Sequence, residues 1–218
     1  MSGSAKTSVH PKVVKLSVRP LTTRDWTVVE QLFGSNGACG GCWCMYWRVP
    51  PGREYWRSHK GMKNRNTFRR LVNSGRASGC LAFAGNEPVG WISAGPKPDF
   101  GYLTRSRKFS SEVSPKIWSV TCFFIKAGWR GKGVATALLK GAVKLARKNK
   151  AAFVEGYPSV PREAEKMSAS FAWTGVPGIF SAVGFAPIDR EPRGRAIFRK
   201  AVKQEPRRRA GRGSKCTR

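Results

Sequence analysis

Acidic residues are what this chain has least of. Twelve Asp and Glu stand against 41 Lys and Arg in 218 residues, a formal net charge of +29. The stretch from Lys203 onward holds seven of the cations and one Glu, so it carries only +6 of that charge and the basicity belongs to the whole chain. Few carboxylates means few candidates for a general base: Asp25 and Glu30 fall on an early helical pattern, Glu87 in a turn and Glu205 in the basic end. Long apolar runs are also missing. None approaches the roughly 20 residues of a membrane span, and the N-terminus lacks the apolar core of an export signal, so the expected address is cytoplasmic with no membrane partner. No internal repeat is present.

Without an export signal, the six cysteines argue against a disulfide scaffold. Cys80 and Cys122 sit in apolar runs and read as buried thiols. Cys39-x-x-Cys42-x-Cys44 has metal-like spacing, but a second CxxC pair is lacking and His59 is the only nearby histidine. The expectation is therefore no metal, with these thiols packed among glycines beside Trp43, Tyr46 and Trp47 in a loop.

What is present reads as one domain. Met1 to Lys12 is short, polar and expected to be disordered; residues 13–202 form the domain; residues 203–218 form a basic, disordered tail. Val13 to Arg19 suits a first strand, and Thr23 with Asp25 in the first turn starts a helix through Phe33. Cys42 to Gly61 crowds Trp43, Tyr46, Trp47, Tyr55 and Trp56 among Arg48, Arg53, Arg57 and Lys60. Such a mixture suits core packing or a nucleic-acid face. A second helix spans Asn64 to Val72, and Gly79 to Ala84 with Pro88 to Ser93 makes a hairpin. Pro96 to Pro115 reads as a long basic loop, a natural place for substrate contacts. Later come a strand over Ala151 to Tyr157, an undefined connection from Pro161 to Thr174, a short helix over Gly178 to Val183, and a closing pair from Phe185–Ile188 and Arg195–Val202.

The chain is organised around Ile117 to Lys150. An apolar, β-branched and aromatic run, Ile117 to Ile125, leads into Gly128-Trp129-Arg130-Gly131-Lys132-Gly133 and then a helical pattern with Val134, Leu138, Ala142, Leu145 and Ala146 on one face. A glycine-rich turn feeding a helix N-terminus directs unpaired N–H groups and the positive end of the helix dipole at an anion. It is not a P-loop, because Gly133 follows Lys132 where a hydroxyl residue is needed. Nor is it a dinucleotide fingerprint, since Thr136 stands where the third glycine belongs.

Arg130-x-x-Gly133-x-Ala135 after a strand resembles the pyrophosphate loop of the GNAT acetyltransferase superfamily. Glu155-Gly156-Tyr157-Pro158, Trp173-Thr174-Gly175, Ile179-Phe180 and Val183-Gly184-Phe185 resemble the second half of that fold, and CGGCWCMYWR from Cys39 to Arg48 is similar to a bacterial subgroup. The resemblance implies an α/β, GNAT-like acyl-CoA acyltransferase fold: a twisted mixed sheet with helices on both faces. It further implies an acetyl-CoA-dependent N-acetyltransferase acting on a primary amine. Phe123, Phe124 and Ile125 would contact pantetheine through their backbone, and Arg130, Gly131, Lys132, Gly133, Val134 and Ala135 would hold the diphosphate. Glu155 is the candidate base because strand alternation puts it on one face with Phe153 and Tyr157; it could equally neutralise local cations. Relatives place a Tyr acid where this chain has Phe180, so Tyr157 is the substitute considered. The strong positive charge favours an amine on an anionic body, whether a phosphorylated metabolite or aminoacyl-tRNA, with RNA contact through the basic surface and tail. Two alternatives stay open: a nucleic-acid-binding protein, and an acyl-CoA-binding GNAT fold without turnover.

Overall fold

The structure, a computed structural model, describes residues 15–50, 52–110, 112–160, 172–189 and 194–204. In chain order the elements are β1 (Leu16–Pro20), α1 (Trp26–Phe33), α2 (Arg53–His59), α3 (Met62–Asn73), β2 (Gly79–Ala84), β3 (Glu87–Pro96), α4 (Gly101–Arg105), β4 (Ile117–Ile125), α5 (Val134–Lys148), β5 (Phe153–Gly156), β6 (Ser159–Val160), α6 (Pro177–Ala182), β7 (Ala186–Pro187), β8 (Gly194–Arg195) and β9 (Phe198–Ala201). Seven strands form one sheet in the order β1-β2-β3-β4-β5-β9-β7, while β6 and β8 make a separate pair. All neighbours in the large sheet are antiparallel except β4 and β5.

Strand alternation divides the apolar residues between two layers. Cys80, Ile92, Val120 and Phe123 face one side, where α5 covers them with Val134, Leu138, Ala142 and Ala146. Leu81, Trp91 and Cys122 face the other, under Trp26, Val29 and Phe33 of α1 and Phe68 and Val72 of α3. The mixed sheet with helices on both faces is as expected. Helix α5 lies close because two positions have no side chain. A Cβ on Gly90 would stand 2.8 Å from Val134, and one on Gly141 would stand 2.6 Å from Val18.

The feature that positions the site lies in β4. Opposite Ser93 and Ala94 of β3 the register passes from Cys122 to Val120, so Thr121 is an extra residue, a bulge that bends the strand. Pairing of β4 with β5 covers only Ile117–Val120 against Phe153–Gly156. Beyond the bulge β4 continues to Ile125 with that edge unpaired by β5, and the sheet splits there.

Some expectations needed correction. Asp25 precedes α1 and does not sit in its first turn; its carboxylate accepts two bonds from Arg19 (2.7 Å each) and one from the Thr22 N–H. The Arg19 bonds hold its pKa down at about 2, against the opposing effect of burial. The long basic loop is largely structured, with a 3-10 turn at Lys97–Asp99 followed by α4, and Lys97 is buried rather than offered to a substrate. Gln204 still donates to the Ala151 carbonyl (2.7 Å), so the folded chain runs past residue 202. The expected disorder of residues 1–12, the basic tail beyond Gln204 and most of the connection starting at Pro161 lie outside the described residues.

Tight packing at the split gives a first prediction. A Cβ on Gly156 would stand 2.0 Å from the ring of Phe180, itself fully buried against Phe185 and Phe123. Gly156→Ala is expected to destabilise the fold by about 1–3 kcal/mol through overpacking. Denaturant unfolding measures it, and Phe180→Leu in the same chain should recover part of the loss. An unchanged midpoint would mean that Phe180 has room to move.

Candidate active site

The cleft at the split has a volume of about 630 Å³. One wall is β4 from Cys122 to Ile125, continued by Arg130, Gly131 and Ala135. The facing wall is the loop carrying Cys39, Cys42, Cys44, Tyr46 and Trp47, with Trp56 and Lys60 from α2 and its end; Trp173, Gly175, Val176 and Ile179 close the side.

The floor at one end is the turn before α5. Gly131 and Gly133 take φ of 73° and 77°, a left-handed backbone that side chains with a Cβ adopt at a cost. Gly133 is the residue just before the helix, and its carbonyl accepts the Ala137 N–H (3.0 Å). The N–H groups of the first turn after it, Val134 to Thr136, have no carbonyl a turn back within α5. The first turn carries no acidic residue, and a Cβ at Gly131 or Gly133 would meet nothing within 4 Å. The result is an uncovered, electropositive helix end of a 15-residue helix. Arg130 reaches back to the Ile125 carbonyl (3.3 Å), and the Lys132 ammonium lies 5.2 Å from the centre of the Trp129 ring. The expected cofactor residues Phe123, Phe124, Ile125, Arg130, Gly131 and Ala135 thus line one cleft. Lys132, Gly133 and Val134 belong to the same turn, and the side chain of Val134 is buried in the α5 layer.

Glu155 and Tyr157 stand elsewhere. They are fully buried and do not line the cleft. Glu155 Oε2 accepts bonds from Lys97 Nζ (3.0 Å) and from the Tyr157 hydroxyl (2.9 Å), while Oε1 accepts two from Arg199 (3.0 and 2.6 Å). Burial, then the charge of Glu155, pushes the Tyr157 hydroxyl well above its usual pKa. Tyr157 also contacts the Ser119 hydroxyl (2.8 Å) and stacks on Trp47 at 5.6 Å. This carboxylate has its lone pairs occupied and two cations beside it. The geometry favours the charge-neutralising role over the base, and Tyr157 supports Trp47 from below the cleft.

The loop opposite β4 is held in an unusual shape. Gly41 (φ 73°) runs so close to Gly61 that a Cβ would meet its backbone N at 2.5 Å, and the Gly61 N–H bonds to the Gly41 carbonyl (2.9 Å). Trp43 and Cys44 are forced to positive φ, 44° and 54°, where residues other than glycine are uncommon. Trp43 thereby stacks on Trp26 at 5.7 Å, inside the α1 layer. Cys44 Sγ accepts the indole N–H of Trp91 (3.0 Å) and lies beside the Cys122 thiol. That neighbouring S–H, then the Trp91 N–H and the Arg48 charge, lower the Cys44 pKa although burial opposes them. Burial pushes Cys42 up to about 12, and the bond to Cys44 together with burial raises Cys122. Among the described residues no cluster of three or more His, Cys, Asp or Glu is arranged to hold a metal ion. No helix among them is long and apolar enough to cross a membrane.

A strand edge unpaired among the described residues, a wide cleft and a glycine turn at a helix end now stand in sequence and in space as one unit. Residues 44–164 match the model of the acetyltransferase (GNAT) family. The chain belongs to the GNAT family. It is therefore an acyltransferase by class. Solved GNAT structures share the fold. The PaiA N-acetyltransferase of Thermoplasma acidophilum, solved with coenzyme A, aligns at a TM-score of 0.50 and 15% identity over 86% of this chain and 99% of its own. An N-acetyltransferase from Staphylococcus aureus Mu50 aligns at 0.50 and 10% identity over 87% and 99%. No curated protein sequence matches.

The two cations that hold Glu155 in this GNAT fold had no signal in the sequence. Lys97, between two prolines in a stretch rich in cations, gives no hint that it is the buried partner of Glu155. Arg199 lies on the final strand, and register alone puts it opposite Glu155.

Proposed function

We propose that the protein transfers an acetyl group from acetyl-CoA to a primary amine. The observation that carries this reading is the open edge of β4 from Thr121 to Ile125, leading along one cleft to the bare N-terminus of α5. An extended pantetheine arm can pair with such an edge as an added strand. The diphosphate then meets the N–H groups of residues 134–136, with Arg130 and Lys132 adding charge. The relative from Thermoplasma acidophilum is solved with coenzyme A, which supports the same ligand here. Phe123, Phe124 and Ile125 contribute main chain, so their apolar side chains serve the core at the same time. In the net reaction the amine nitrogen bonds to the carbonyl carbon, the carbon–sulfur bond breaks, and CoA leaves as a thiolate. A thiol with a pKa near ~8.5, taking cysteine as the guide, needs no dedicated acid to leave. The amine proton passes to water in the cleft.

The acceptor end narrows the substrate. Among the described residues the cleft lining holds no carboxylate; it holds Lys60, Arg130 and, besides Phe123 and Phe124 of β4, the rings of Tyr46, Trp47, Trp56 and Trp173. Trp56 and Trp173 meet Tyr46 edge-on at 5.2 and 5.1 Å, and Arg195 lies 5.0 Å from the centre of Trp173. Such a wall suits a flat or anionic body carrying one amine and repels a polycation. The test is thiol release with acetyl-CoA and a panel of amines. Arylalkylamines and amines bearing phosphate are expected to exceed spermidine in kcat/KM by at least roughly tenfold, the factor that about 1.4 kcal/mol supplies. Tight acetyl-CoA binding without thiol release for any amine would replace this reading with acyl-CoA binding alone.

A further inference from the structure

A second cavity lies at the end of the sheet away from the turn before α5. It has a volume of about 730 Å³ and shares no lining residue with the acetyl-transfer cleft. Pro20 at the end of β1, Gly79 at the start of β2, Pro96 at the end of β3 and Trp118 of β4 border it. Three charged residues line it: Arg48, Arg76 and Asp99. The Arg48 guanidinium lies 4.8 Å from the centre of the Phe100 ring. Its Nε and Nη2 are buried and no described group bonds to them, which leaves Nη1 as the edge that a molecule in the cavity can reach. A cation held inside without a counter-charge in contact is costly, so this edge favours an anion. Arg76 and Asp99 are exposed at the mouth. Ser78 Oγ and Asp99 Oδ2 stand over Gly95, 2.7 and 3.8 Å from where a Cβ there would be. Partial burial raises the Asp99 carboxyl above its usual pKa and the charges of Arg48 and Arg76 oppose it, so the three groups share one neighbourhood. Yet no ion pair among the described residues joins Asp99 to either arginine.

We propose that this cavity is a second binding site, one that takes a free α-amino acid with an apolar side chain. Arg48 Nη1 and Arg76 hold the carboxylate, for which a guanidinium is the matching partner. A plain anion would set a second carboxylate beside Asp99. An ammonium next to the ligand's carboxylate turns that repulsion into a charge-assisted hydrogen bond. Met45, Val49 and Leu71 line the same cavity and give the side chain an apolar wall. This inference does not depend on the acetyltransferase reading. It does touch the same framework. Arg48 follows Trp47 of the cleft wall, whose carbonyl accepts the Tyr102 N–H (3.1 Å), and Asp99 lies two residues beyond Lys97, the buried partner of Glu155. A molecule seated on Arg48 and Asp99 therefore bears on the two segments that stand behind the acetyl-transfer cleft.

The experiment is calorimetric titration of the full-length chain with leucine and phenylalanine, and with the carboxamide and N-acetyl derivative of whichever binds more tightly. Binding of at least one amino acid is expected. The carboxamide lacks the carboxylate and the acetyl derivative lacks the ammonium, so each should bind at least roughly tenfold more weakly, the effect of losing one charged hydrogen bond. Arg48→Met should abolish amino-acid binding and leave acetyl-CoA affinity as in the wild type. Arg76→Gln and Asp99→Asn alter exposed side chains, and each should weaken the amino acid by about tenfold. These two keep the test decisive if Arg48→Met does not fold. Amide hydrogen exchange on adding the amino acid should slow in residues 45–50 and 96–102. Failure of both amino acids to bind at millimolar concentration overturns the site. Binding that survives all three substitutions, with protection confined to the acetyl-transfer cleft, overturns it too and makes the amino acid an acceptor. An N-acetyl derivative that binds as tightly as its parent overturns the amino-acid assignment, since Asp99 then meets no ammonium.

Discussion

Glu155→Gln is expected to lower stability by about 3–5 kcal/mol, the range for removing one partner of a buried ion pair. The Gln side chain keeps its size and can still accept hydrogen bonds. What it loses is the charge opposite Lys97, whose side chain is 1% exposed and whose ammonium lies 3.0 Å from Glu155. Arg199 suffers less because it is partly exposed and retains Glu112 at 2.7 Å. Over a domain of this size the loss corresponds to a fall in melting temperature of roughly 6–20 °C. Replacing both partners, Lys97→Met with Glu155→Gln, should restore much of it, since no lone charge is then left inside. Thermal and denaturant unfolding of the two variants measure the difference. The competing outcome is specific: a Gln variant of wild-type stability whose kcat falls by about 10² to 10⁴ would return proton transfer to Glu155.

Acetyl-CoA affinity should respond most strongly to Gly133→Val. The backbone there has φ of 77°, and the space above it is open, so a branched side chain strains the turn and stands where a diphosphate would approach. Losing two charge-assisted hydrogen bonds at about 1.5–3 kcal/mol each weakens binding by roughly 10² to 10⁴. Arg130→Ala removes one exposed cation and should cost about tenfold, with a shallower dependence on salt. Calorimetric titration checks both, alongside circular dichroism for the fold. Unchanged affinity in both variants would take the turn out of the binding site.

Much of this arrangement is legible in the chain because its signals are local. The run Ile117–Ile125 reads as a strand and is one, to the residue. The helix after Gly133 shows its buried face through spacing alone, Val134, Leu138, Ala142 and Ala146. Glycine at 131 and 133 announces a turn by residue type and spacing. The relations that decide the chemistry are not local. Lys97 meets Glu155 across 58 residues, and Cys44 meets Trp91 across 47. Alternation correctly puts Glu155 on one face with Phe153 and Tyr157, yet it does not say whether that face opens on a cleft or on a cation. The CGGCWCMYWR segment reads as packing, and Trp43 and Trp47 are indeed interior at 3% and 1% exposure. That packing also turns Cys44 towards β4, which composition cannot reveal because it depends on backbone angles at two residues.

The sheet order has a consequence for how the molecule assembles. Strands β1 to β4 are neighbours in space and follow one another along the chain, so each can pair soon after it is synthesised. The other half is different. β9 lies between β5 and β7 and pairs with both, although among the described residues it is the last strand to be made. Until it arrives β5 has one vacant edge and β7 has no partner in the large sheet. Arg199 comes with β9, so the Glu155 carboxylate receives its second cation only when that strand inserts. Closing the sheet and completing the ion network around Glu155 are therefore a single late event.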